Sequence, residues 1–202
     1  MASSRLVHTI FEFITIVAIV NGNLIKFDGQ CPFDDMKPLS IDAAEILGGA
    51  PLTMTTIAET TPLSGANRTD TTEILEFIKP DIVKVTLICR SKETGQCGKF
   101  FLLMRPSHQS GIYKGLYQVA PKTNFAKFKA AFLSFDPVTM KSVGLACHNL
   151  PNSKFQIEIV VLSAYTSVYD EATQEEVNKV LKFNNLEFVI PYVKGIEQNN
   201  EC

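Results

Sequence analysis

The 202 residues hold no tryptophan, only three histidines and no basic run. Each shortage removes a class of function. His8, His108 and His148 are scattered and no two cysteines stand at zinc-ligand spacing, so no metal site is expected. Neither a Gly-rich phosphate loop nor a nucleophile elbow occurs. A formal net charge of −2 without clustered cations argues against a nucleic acid or an anionic membrane surface as partner. No internal repeat, low-complexity stretch or linker divides the chain. Beyond the N-terminus no apolar run approaches the roughly 20 residues of a membrane span.

What is present begins with "IFEFITIVAIV" (10–20), apolar except for Glu12 and Thr15. Its length suits a secretory h-region, with uncharged Val20 and Gly22 at −3 and −1 of a cut after Gly22. Residues 1–22 therefore read as a signal peptide, and 23–202 as one domain of ordinary size, secreted and extracellular. In that oxidising setting Cys31, Cys89, Cys97, Cys147 and Cys202 are disulfide candidates. Five is odd, so at least one thiol is left over, and spacing alone does not choose the pairs. Asn67-Arg68-Thr69 is an N-glycosylation sequon in a Thr-rich stretch, as expected of a surface loop. Cys147 and His148 are neighbours in a strand-like run, so their side chains point to opposite faces and cannot form a thiol–imidazole pair. No enzyme activity and no cofactor are expected.

From residue 82 to 165 the chain alternates short β-branched and aromatic runs with turn residues. "DIVKVTLIC" (81–89), "FFLLMR" (100–105), "IYKGLYQVA" (112–120), "FAKFKAAFLSF" (125–135), "SVGLACHN" (142–149) and "FQIEIVVLSAY" (155–165) read as strands of an antiparallel meander, hence a sandwich or barrel. "TEILEFI" (72–78) fits a strand or a turn of helix. The period then changes: "SVYDEATQEEVNKVLKFNN" (167–185) places Val177, Val180, Leu181 and Asn184 on one helical stripe, with Thr173 and Glu176 as a capping box. One such helix after a meander must lay its stripe on the outside of the sheet.

Three stretches carry a resemblance. "GQCPFDDMKP" (29–38) resembles the entry of apolipoprotein D-like and insect lipocalins, "SFDPVTMKSVGLAC" (134–147) their Thr-Asp-Tyr strand pair, and "VVLSAYTS", "EEVNKVLKFNNLEF" and "QNNEC" their closing strand, helix and tail. The resemblance implies an all-β fold, an eight-stranded antiparallel up-and-down barrel with one C-terminal α-helix packed outside. It further implies a Cys31–Cys147 bridge and a bridge from Cys202 to Cys89 or Cys97. Two family features are missing. Ala50 or Pro51 stands where Gly-x-Trp would place its tryptophan, and Ala164 and Tyr165 follow "LS" where an arginine is usual. In lipocalins those two side chains stack at the closed end, a cation–π contact, so their joint loss is coherent.

A barrel of this size holds filling side chains or one small ligand. The lining expected from alternation is Tyr113, Tyr117, Phe128, Phe132, Leu145, Ile157 and Ile159, apolar walls with two hydroxyls. They suit a small hydrophobic molecule, lipid, pigment or odorant-like, with a polar end. The rival expectation is a salivary or venom lipocalin of the triabin-like group, which acts by binding a host protein or a small mediator.

Overall fold

The computed structural model describes residues 25–40, 49–63, 67–79, 81–119, 124–199 and 202, so the expected signal peptide lies outside the described residues. The alternating runs form ten strands: β1 (Phe27–Asp28), β2 (Leu52–Glu59), β3 (Arg68–Lys79), β4 (Ile82–Ser91), β5 (Cys97–Pro106), β6 (Ile112–Val119), β7 (Asn124–Asp136), β8 (Lys141–Leu150), β9 (Lys154–Ser163) and β10 (Lys194–Gly195). From β2 to β9 each pairs antiparallel with its successor, and β9 returns to pair with β2. Eight strands thus close a barrel, which leaves no unpaired sheet edge between them. The two-residue β1 and β10 add outside, on β9 and β2.

The ambiguous "TEILEFI" stretch lies in β3, a twelve-residue strand. Its first residues hide their strand character because the pairing with β4 shifts between Thr69 and Thr72, where Asp70 sits at φ 49°. That left-handed bulge interrupts the alternation by one residue.

The helix α1 spans Glu171–Phe183. Its cap is Asp170, whose carboxylate accepts from the Thr173 backbone N–H at 2.8 Å, one turn earlier than the expected Thr173–Glu176 box. Thr173 is buried instead and its hydroxyl accepts from Lys141 Nζ. Val177 and Leu181 are buried against the outside of the barrel, with Val180 packed beside them. Asn184 ends the helix: its amide donates to the Val180 carbonyl and its oxygen accepts from the Lys37 N–H.

Two disulfides tie the ends to the barrel, Cys31–Cys147 and Cys97–Cys202, with Cys89 a buried free thiol. The choice between Cys89 and Cys97 follows from alternation. Cys89 is buried and lies near Arg68, Glu59 and Glu73 inside the barrel, whereas Cys97 is exposed at the start of β5. Before it reaches Cys202 the tail is held by the Ile196 N–H on the Ile57 carbonyl, Gln198 Nε2 on the Thr56 carbonyl and the Asn199 N–H on Asp70 Oδ1.

At the end with the 107–111 and 137–140 turns, the segment through Leu39 packs against β7 and the 107–111 turn. The Leu39 N–H donates to the Phe132 carbonyl, and the Leu39 carbonyl lies 2.4 Å from where a Cβ on Gly111 would stand. Gly111, at φ 71°, is required on both counts. Tyr113 and Phe132 meet edge to face beneath this segment at 5.9 Å, in an end that has no Trp–Arg stack.

Candidate ligand-binding site

Two packed clusters separate the faces of the barrel wall. One contains Leu75, Val83, Val85, Leu87, Met104, Tyr113 and Phe128, with Phe77, Phe100, Leu102, Tyr117 and Phe132 against it. These are alternate residues of β3 to β7, and they fill the barrel side. The other contains Ala131, Leu133, Val143, Leu145, Cys147, Phe155, Ile157, Ile159 and Val161 together with Val177 and Leu181 of α1. It lies between the wall and the helix.

The expected lining divides along this boundary. Tyr113, Tyr117, Phe128 and Phe132 face the interior. Leu145, Ile157 and Ile159 face outward under α1, and this corrects their placement in the cup. The physical reason is the helix. Its apolar stripe needs an apolar counterface, and the Phe155–Val161 row of β9 supplies it. The opposite face of β8 and β9 points inward and carries Gly144 and Ala146, then Gln156, Glu158 and Val160.

Polar groups therefore occupy one side of the interior. Arg68 donates to both carboxylate oxygens of Glu59 and to Glu158 Oε1 at 2.9 Å. Glu158 Oε2 accepts from the Leu63 N–H, and Glu73 accepts from the Thr56 hydroxyl at 3.1 Å. Burial pushes Glu73 up to about 7, against the pull of Arg68. Burial also raises Glu59 despite its bidentate arginine. Burial opposes the charge of Arg68, but Glu59 and Glu158 outweigh it and hold the guanidinium charged. The four groups lie towards the end bounded by the 92–96 and 151–153 turns. A sequence signal for them existed: Gln156 and Glu158 share a face, so the other face of "FQIEIVV" was the one a helix could cover.

Opposite the ion cluster the wall is apolar and not fully packed. Phe77, Phe100, Leu102, Tyr117 and Phe132 stay only half-buried, although they point into a closed barrel. Phe128 lies over Gly115, where an added Cβ would sit 2.2 Å from its ring, and Tyr117 packs beside it at 5.8 Å. Ala130 and Ala146 are direct register partners, and Phe132 faces Gly144 across the same strands. Burial, and then the charge of Glu158, raise the Tyr117 phenol and keep it a hydroxyl. Among the described residues no group of three His, Cys, Asp or Glu side chains is placed to hold a metal.

An eight-stranded, sequentially antiparallel barrel with one helix on its outside and two disulfides defines a class of fold. The chain has the lipocalin fold. Lobster apocrustacyanin A1 superposes with a TM-score of 0.65 at 10% identity, over 90% of this chain and 94% of that one. Insecticyanin from the tobacco hornworm Manduca sexta gives 0.64 at 18% identity, over 88% and 90%. Aphrodisin, a sex pheromone from female hamster, gives 0.55 at 11%, over 75% and 97%. No family model matches the sequence, and no curated protein does.

Proposed function

We propose that the barrel is an extracellular carrier of one small hydrophobic molecule with a polar end. The observation that carries this reading is the accessible apolar wall of Phe77, Phe100, Leu102 and Phe132 inside a closed barrel. The apolar body of the ligand lies on that wall, and its polar end meets the Tyr117 hydroxyl and Glu158. Secretion by removal of residues 1–22 and glycosylation at Asn67, exposed beside the ion-cluster end, belong to the same reading. The two bridges, each closing a loop of more than a hundred residues, are consistent with an oxidising compartment.

Ala146→Trp tests it, because Ala146 faces inward opposite Ala130. The uncharged fluorophore N-phenyl-1-naphthylamine should bind the parent protein and lose binding to the variant, with the thermal midpoint nearly unchanged. If the parent does not bind and the variant is destabilised by about 1–3 kcal/mol, the interior is a filled core and the carrier reading fails.

A further inference from the structure

The outward face of β5 to β7 carries a row of like charges, of which Lys129 also lies over the Phe33 ring at 5.3 Å. Arg105 stands directly opposite Lys114, and Lys114 directly opposite Lys129, in the strand register. Like charges in such positions repel one another. Among the described residues no ion pair with a carboxylate joins any of the three, whereas Lys84 on the adjoining strand is paired with Glu76 at 2.6 Å. Beside this cationic row lies an apolar pair, Leu103 opposite Leu116, 40% and 41% exposed.

These side chains share one recess of about 810 Å³, which runs to Lys127 and Asn149 and has no carboxylate in its lining. Through Arg105 and Lys114 it adjoins a polar pocket of about 290 Å³ lined also by Ser107, His108 and Asp81. The larger recess has the size of a single small-molecule site.

We propose that this recess, on the outside of the barrel, binds a single anionic amphiphile of the fatty-acid kind. The acyl chain lies over Leu103 and Leu116, and the acid group meets Arg105, Lys114 and Lys129. Its negative charge relieves the repulsion along the row, so the site is complementary to charge as well as to shape. The site is independent of the barrel interior and stands or falls separately from the carrier reading.

The experiment is calorimetric titration of the secreted, disulfide-bonded protein with monomeric oleate at low salt. Oleyl alcohol serves as the uncharged control, and phosphatidylserine vesicles are tested by co-sedimentation. The expected result is one oleate per protein, bound without displacing N-phenyl-1-naphthylamine and weakened by salt. Lys114→Glu and Lys129→Glu should each weaken oleate by about tenfold or more, the loss of a charge-assisted contact, while binding of the uncharged probe is unchanged. Lys114→Arg should retain oleate. Should either charge reversal fail to fold, Leu116→Gln tests the chain half of the site by the same titration. Oleate binding that ignores all of these substitutions, or that is lost in Ala146→Trp alone, overturns the proposal. Binding to vesicles without binding to monomeric oleate also overturns it and makes the face a membrane-docking surface.

Discussion

The wall from β4 to β7 and the wall formed by β8, β9 and β2 are built from similar alternating strands, yet they are turned inside out relative to each other. In the first, apolar side chains such as Val83, Val85, Met104 and Phe128 point inward, and Lys84, Lys114, Lys127 and Lys129 lie on the solvent side. In the second, the apolar row Phe155, Ile157, Ile159 and Val161 points outward beneath α1, and Glu59 and Glu158 point inward to Arg68. A strand's apolar face therefore marks whatever buries it, which is a barrel interior in one place and a helix in the other. The contrast also gives the barrel interior two chemistries, hydrocarbon on one side and a buried ionic cluster on the other.

The largest effect should come from unbalancing the ionic side. Arg68→Ala removes the guanidinium from between Glu59 and Glu158 and leaves buried carboxylates without a counter-charge. The expected loss is about 3–5 kcal/mol in denaturant unfolding. Arg68→Met together with Glu59→Gln and Glu158→Gln should recover much of it, because the uncompensated charge goes with the arginine. If Arg68→Ala alone is nearly neutral, the inward wall is wetter than its burial indicates, and the two walls differ less than the packing suggests.

A paired comparison tests the reversal of faces itself. Ile157→Ala, under the helix, should cost about 2–5 kcal/mol as a core truncation and leave probe binding intact. Phe100→Ala, on the half-buried inward wall, should cost less stability and weaken the uncharged probe. Unfolding midpoints and probe titrations on the two variants read both effects. The opposite pattern, with binding lost in Ile157→Ala and stability lost in Phe100→Ala, would put the cavity on the wrong side of β9.

This reversal is also where reading the sequence stopped short. Strands β4 to β9 and α1 were legible because β-branched alternation and a helical stripe are local properties. The bridge partners Cys31 and Cys147 were reached by resemblance rather than by spacing. Which face of β8 and β9 looks inward is decided by α1, packed from elsewhere in the chain, so alternation put the apolar face of Leu145, Ile157 and Ile159 in the cup. The strand β3 was hidden for a related reason. Glu73 and Arg68 spend their polarity inside the barrel, and the bulge at Asp70 shifts the period between them. A stretch whose buried positions are charged shows no clean apolar alternation, so "TEILEFI" fitted a strand or a turn of helix alike.

The finest distinction between the walls is its response to pH. Glu73, 6% exposed, titrates at about 7 in the folded protein against 4.5 when free in the chain, with burial as the main cause. Between those values the folded state binds a proton that the unfolded state releases, so stability must fall as pH rises from about 4.5 through 7 and level off above. At about 1.4 kcal/mol for each pH unit between the two values, the contribution of Glu73 is at most about 3 kcal/mol. Glu59, also raised by burial, acts in the same direction. Asp136 and Asp170 are lowered chiefly by hydrogen bonds from Thr139 and Thr173. They act oppositely, but only as pH falls towards their own lowered range, outside this window. Urea unfolding from pH 5 to 8 should thus show a declining stability that flattens in Glu73→Gln, which keeps an acceptor for the Thr56 hydroxyl and cannot ionise. The all-apolar wall of β4 and β5 contributes no such slope. A variant with the parent's full pH dependence would show that Glu73 ionises freely in the folded barrel. In that case water reaches the polar wall, and the interior is open on both sides.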